Sequence, residues 1–115
     1  MDIQRLKPGR RMSQAVIHNG TVYLAGQIGA PGEDIAAQVR AILATIDDLL
    51  AQAGTDRSRL LQATIWLANI TDYDVMNRIW EDWIGDSPAP ARATAQAQLA
   101  RADWKVEIIV TAALR

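Results

Sequence analysis

The chain has no cysteine, a single histidine and no long apolar run. Without cysteine, disulfides, thiolate catalysis and cysteine metal sites are all excluded. The simplest compartment for such a chain is a reducing one, and the sequence is read as cytoplasmic. The lone histidine, His18, lies beside a hairpin turn with no nucleophile-elbow motif near it, so it reads as a turn residue rather than a member of a catalytic triad. Asp47 and Asp48 fall between core positions of a helix and read as a solvated face. No metal site and no cofactor are expected. The N-terminal stretch lacks the apolar segment of a signal peptide, and the short, charge-broken apolar runs do not span a membrane. The 12 Lys and Arg are scattered, the net charge is −1, and no basic footprint for nucleic acid is present.

What is present suits one domain over residues 1–115: 50% hydrophobic residues, 22% charged, and no internal repeat or low-complexity segment. Residues 14–18 and 21–25 are strand-like runs joined by Asn19-Gly20, a pair that tolerates positive φ and marks a tight hairpin. A short alternating piece, residues 3–6, precedes them. Residues 26–32 form a glycine-rich loop. Ile35, Val39, Ile42, Leu43, Ile46, Leu49, Leu50 and Ala53 then recur at a helical period, closed by Gly54. Residues 60–68 read as a strand with Leu61, Ala63, Ile65 and Leu67 on one face and Gln62, Thr64 and Trp66 on the other. Thr71 and Asp74 resemble a capping box for a second helix, residues 72–84, with Tyr73, Met76, Ile79, Trp80 and Trp83 on one side. Residues 91–99 and 105–114 alternate with period two and are expected to pair as a terminal antiparallel hairpin.

The predicted order is β-β-β-α-β-α-β-β, a two-layer α+β sandwich with two helices on one face of a mainly antiparallel sheet. The uncovered face is expected to carry Arg92, Gln96, Gln98 and Glu107 among Ile109 and Trp66. It is either solvated or buried against another subunit.

Few residues invite chemistry. The planar fork of Arg92, at the start of an alanine-rich strand, binds a carboxylate bidentately; the alternative is a surface arginine paired with an acid of the second helix. Glu107 is either a working carboxylate or a satisfied interface one. Gly26 either belongs to a flexible loop or brings bare backbone close to a small ligand. Of the four tryptophans, Trp66, Trp80 and Trp83 have packing rather than base-stacking spacing, and Trp104 lies in the last loop.

Taken in order, Ser13-Gln14-Ala15-Val16, Ala25-Gly26-Gln27-Ile28, Asp34-Ile35 with Gln38, Ala53-Gly54, Asn77, Pro90-Ala91-Arg92 and Val106-Glu107-Ile108 resemble the RidA/YjgF/L-PSP family over nearly the whole length. Met12 and the strand around Trp66 resemble a bacterial side branch. The resemblance implies a chorismate-mutase-like fold, a homotrimer with sites between subunits, and hydrolysis of 2-imino or enamine acids such as 2-aminoacrylate to 2-keto acids and ammonia. It implies Arg92 as carboxylate clamp, Glu107 as the group that orients water, and Gly26 and Asn77 at the cleft, with no cofactor. Met12, Ala25 and Thr94 stand where the archetype has tyrosine, serine and cysteine, so Met12 and Thr94 are expected to line an altered substrate pocket. The competing readings are a related hydrolase of another enamine or amide, a non-catalytic metabolite-binding trimer, and a ribonuclease, which the acidic pI disfavours.

Overall fold

Asn19 and Gly20 adopt φ of 53° and 81°, the double positive-φ turn that their residue types favour. They close a hairpin of β2 (Ala15–His18) and β3 (Thr21–Leu24), with His18 opposite Thr21. The structure, a computed structural model, describes residues 2–115. Strand β1 (Gln4–Leu6) pairs with β2 at one edge of the sheet. The remaining elements are α1 (Ile35–Gln52), β4 (Leu60–Leu67), α2 (Tyr73–Ile84), β5 (Ala91–Gln96) and β6 (Val106–Ala113). The order β-β-β-α-β-α-β-β is the one expected, and both helices pack on one face of a six-stranded sheet.

Helix α1 begins where Asp34 accepts the Ala37 N–H at 2.8 Å. It ends at Gly54, φ 86°, where the Gly54 N–H reaches the Ala51 carbonyl and the Thr55 N–H the Leu50 carbonyl. Val39, Ile42, Leu43, Ile46, Leu49 and Leu50 are buried on the sheet. Helix α2 buries Met76, Trp80 and Ile84, while Ile79 and Trp83 pack at the margin. Tyr73 leaves the expected apolar stripe and is 40% exposed. The expected capping pair does not form either. The Asn69 side chain accepts from the Thr71 N–H and hydroxyl, winding a 3-10 turn over Ile70–Asp72 ahead of the helix. A short polar side chain bonding its own backbone has displaced the longer-range cap.

The two helices are tied together below the core. Arg57 grips Asp47 of α1 through Nη2 at 2.7 Å and Nε at 3.2 Å, and Trp83 of α2 donates its indole N–H to the same carboxylate at 3.0 Å. Asp47, read from sequence as merely solvated, is therefore a structural tie.

The strand order is β1-β2-β3-β6-β4-β5. This corrects the expected terminal hairpin. Strand β5 pairs with β4, and in parallel, because α2 connects the two as a strand–helix–strand crossover. Strand β6 enters between β3 and β4, antiparallel to both. Strand β5 also stops at Gln96, leaving Gln98 and Leu99 in the following loop. In β4 a register irregularity between Leu60 and Gln62 puts Leu60 into the core and leaves Leu61 49% exposed, against the expected alternation.

Candidate active site: two half-sites on opposite faces of the sheet

Register decides where the candidate residues point, because laterally paired residues share a face. Arg92 is opposite Ala63, and Ala63 is opposite Val110; both are buried in the core. Arg92, Thr94 and Gln96 therefore lie on the helix side of the sheet. Glu107 is opposite Trp66, which is opposite Ala95, all on the open side. The expectation that Arg92, Gln96 and Glu107 share the open face is thus corrected. The polar positions of β5 turn toward α2, and its alanines, Ala91, Ala93 and Ala95, turn outward.

At the edge of the helix layer, the Arg92 guanidinium carbon stands 5.7 Å from the centre of the Trp80 indole and 5.9 Å from that of the Tyr73 ring. One guanidinium nitrogen, Nη2, donates to the Tyr73 hydroxyl at 3.4 Å. Aromatic faces accept a guanidinium without neutralising it. No carboxylate lies within ion-pair distance of Arg92 among the described residues, so the surface ion pair weighed for Arg92 is not made. A cavity of about 600 Å³ opens there, lined by Ile70, Thr71, Tyr73, Asp74, Arg92 and Thr94. Among the described residues two buried side-chain oxygens, Thr94 Oγ1 at this cavity and Asn77 Oδ1 one turn beyond Tyr73 on α2, find no hydrogen-bond partner within the chain. Buried polar atoms are seldom left so.

On the open face, Glu107 lies against Gly26. A Cβ on Gly26 would collide with the Glu107 carboxylate and sit 2.9 Å from its Cδ, so glycine is what lets the acid occupy that place. Burial pushes the Glu107 carboxyl up from its ordinary pKa of 4.5. A second cavity, of about 510 Å³, is lined by Met12, Gln14, Gly26, Gln27, Ile28, Ala100, Trp104 and Glu107. Gln27, 5% exposed, donates to Gln14 Oε1 at 3.0 Å and to the Ala25 carbonyl at 3.0 Å, which braces the Gly26 loop. Gln38 of α1, fully buried, binds three backbone groups: it donates to the Glu33 and Asp103 carbonyls and accepts the Lys105 N–H at 2.9 Å. It thereby joins the Gly26–Asp34 loop to the loop carrying Trp104.

The predicted residues thus fall into two groups. Arg92 and Thr94 line one cavity; Gly26, Met12 and Glu107 line the other; Asn77 lies on α2 and lines neither. The single chain does not bring Arg92 and Glu107 together. The sequence pattern puts Tyr73 and Trp80 on the apolar side of the second helix, offers Gln14 and Gln27 only as parts of the family resemblance, and leaves Trp104 in the last loop without a role. The spacing of Tyr73 matches the apolar stripe, so only its position at the helix start, beside β5, sets it apart.

The family model described as Endoribonuclease L-PSP matches residues 2–114. The chain belongs to the RutC/YjgF/L-PSP family. A RutC family protein of Haemophilus ducreyi is 44% identical over 113 residues, covering 97% of each chain. The crystal structure of a YjgF family member from Neisseria meningitidis superposes with a TM-score of 0.96 at 42% identity, covering 100% of this chain and 97% of that one. A more distant relative, at 33% identity over 104 residues, is the 2-iminobutanoate/2-iminopropanoate deaminase of Bos taurus, covering 84% of this chain and 74% of that protein. The two-layer sandwich is accordingly the chorismate-mutase-like fold that the YjgF resemblance implied. No helix among the described residues is long and apolar enough to cross a membrane, and no group of three or more metal-ligating side chains gathers there.

Proposed function

We propose that this chain hydrolyses reactive 2-imino or enamine acids to 2-keto acids and ammonia, in sites assembled between copies of a homotrimer. The observation that carries the proposal is Arg92: a guanidinium with no acidic partner, flanked by aromatic rings and opening onto a cavity with unpartnered Thr94 beside it. Such a group is a carboxylate clamp in waiting. The distant bovine relative named as a 2-iminobutanoate/2-iminopropanoate deaminase supports the reaction class.

In this reading Arg92 grips the substrate carboxylate in two parallel hydrogen bonds, and Asn77 and Thr94 supply polar contacts beside it. Glu107 orients a water against the imine carbon and takes a proton from it as the C–O bond forms. Glu107 returns that proton to the imine nitrogen, giving a carbinolamine; the hydroxyl proton then passes to the same nitrogen as the C–N bond breaks, so that ammonia leaves and a carbonyl forms. Water enters, ammonia leaves, and no oxidant or reductant is required. An imine is already reactive, so positioning supplies most of the help needed.

Because Arg92 and Glu107 lie on opposite faces of one sheet, a site that uses both needs Arg92 from one copy and Glu107 from another. The open face supports association. Tyr23 and Trp66 are exposed on it, beside Ile109 and the flat row Ala91, Ala93 and Ala95.

The test is imine hydrolysis measured by competition with semicarbazide, the imine being generated by an amino-acid oxidase. Wild type should speed imine loss, and Arg92→Ala should lower kcat/KM about a hundredfold, the loss of hydrogen bonds to a charged group. No acceleration with any imine, alongside binding of a 2-keto acid that Arg92→Ala abolishes, would replace the enzyme with a metabolite-binding trimer. RNA cleavage lost in Arg92→Ala would favour the activity in the family model's description.

A further inference from the structure

The two half-sites differ in chemistry, and the difference sorts the groups on the reacting carbon. The Arg92 cavity has polar walls in Thr71, Tyr73, Asp74 and Thr94. The Glu107 cavity is different. Of its polar side chains, Gln27 already uses its amide N–H groups on Gln14 and the Ala25 carbonyl. Gln14 shares the lining, its Oε1 held by Gln27, and the rest beside the carboxyl is an apolar wall of Met12, Ile28, Ala100 and Trp104.

That wall is held in place. The Trp104 N–H bonds the Arg101 carbonyl at 3.2 Å, and Gln38 fixes the flanking backbone at Asp103 and Lys105. Met12 is 48% exposed at the rim, an unbranched side chain that adapts to what it covers.

We infer that this cavity is a side-chain subsite, and that the preferred substrates are 2-imino acids with bulky apolar side chains — branched aliphatic, thioether or aromatic — rather than the small 2-iminopropanoate type. The inference rests on the proposed reaction. The imine carbon carries a carboxylate, a nitrogen and a side chain. Arg92 takes the first, Glu107 and its water address the carbon and nitrogen, and the side chain is left to the rest of the Glu107 cavity. At about 510 Å³ that cavity has room for a leucine or phenylalanine side chain. Two cationic features compete as guides: Arg101, its guanidinium carbon 5.9 Å from the centre of the Trp104 ring but paired with Asp103, and a set of exposed cations, Lys7, Arg10 and Arg11, which would favour an anionic side chain. The latter three line a neighbouring hollow that shares only Met12 and Gln14 with this one.

The experiment compares imines made by a broad-specificity L-amino-acid oxidase from leucine, methionine, phenylalanine, alanine and glutamate, each assayed against semicarbazide. A buried methylene is worth about fourfold in binding. The leucine- and phenylalanine-derived imines should therefore be hydrolysed at least about tenfold more efficiently in kcat/KM than the alanine-derived one. Trp104→Ala should collapse that ratio severalfold. Met12→Asp, at an exposed position where folding is not at risk, should lower it as well. Equal efficiency with the alanine imine, preference for the glutamate imine, or a ratio unmoved by both variants would overturn the subsite while leaving the deaminase reading intact. Failure with every imine would instead remove the reaction on which the subsite depends.

Discussion

Glu107 is set apart by where its carboxyl rests, against a glycine and under partial burial, with no cation paired to it among the described residues. Desolvation disfavours the charged form, so its pKa lies above the ordinary 4.5. If the carboxylate is the form that orients water, kcat/KM should rise with pH through that raised value and level off above it. In Glu107→Gln the acidic limb should vanish along with most of the rate; a pH–rate profile of both proteins checks this, and an unchanged limb in the variant would assign it to another group. Stability moves the other way. The folded chain holds this proton to higher pH than the unfolded chain does, so stability falls as pH rises from about 4.5 through the raised value. Arg92 and Glu107 were both legible in the sequence by residue type and by their place in a recognisable order. Their faces were not. Alternation in residues 91–99 separates two faces without saying which is which, and assigning the polar set to the face the helices leave uncovered puts Arg92 on the wrong side. Tyr73 and Trp80 were read as packing, and they do pack, but partly against the guanidinium they flank.

Strands and helices were read more securely than their partners. The Asn19-Gly20 hairpin and the long amphipathic helix ending at Gly54 are local features, set by φ preferences and a 3.6-residue period, and the structure has both. The pairing of β5 is not local. Its period-two pattern is the same beside a parallel or an antiparallel neighbour, and only the crossover through α2 makes β4 its partner. Leu61 shows the same limit, since one irregularity in β4 undoes a clean alternation. Gln38 is the element-scale residue that pattern reading could not value. A polar side chain on the buried face of α1 is an anomaly in an apolar stripe, and its meaning lies in two loops, one just ahead of the helix at Glu33 and one far along the chain at Asp103 and Lys105. Gln38→Leu strips partners from one buried N–H and two carbonyls and should cost about 3 kcal/mol. Denaturant unfolding measures this; a loss under about 0.5 kcal/mol, the range of an ordinary surface substitution, would show that water replaces those bonds at no cost.

At the scale of the whole molecule, the sheet itself separates the two chemical groups. Its helix side holds the unpaired arginine, and its open side holds the half-buried acid among exposed aromatics and alanines. A homotrimer that covers the open face would bring an edge of one sheet, where β5 carries Arg92, toward the open face of the next. Nothing in one chain's sequence spells this out, because association is a property of surfaces and the sequence pattern describes only which residues share a face. The most direct measurement is complementation. Arg92→Ala and Glu107→Gln, each expected to be strongly impaired alone, are mixed, unfolded and refolded together, and assayed for imine hydrolysis. A site shared between copies predicts that activity returns, to about a quarter of the wild-type sites for random mixing, since each site draws one residue from each of two copies. Activity that stays at the level of the separate variants, in mixtures shown to contain both chains in one assembly, would place Arg92 and Glu107 in the service of a single chain and contradict the shared site.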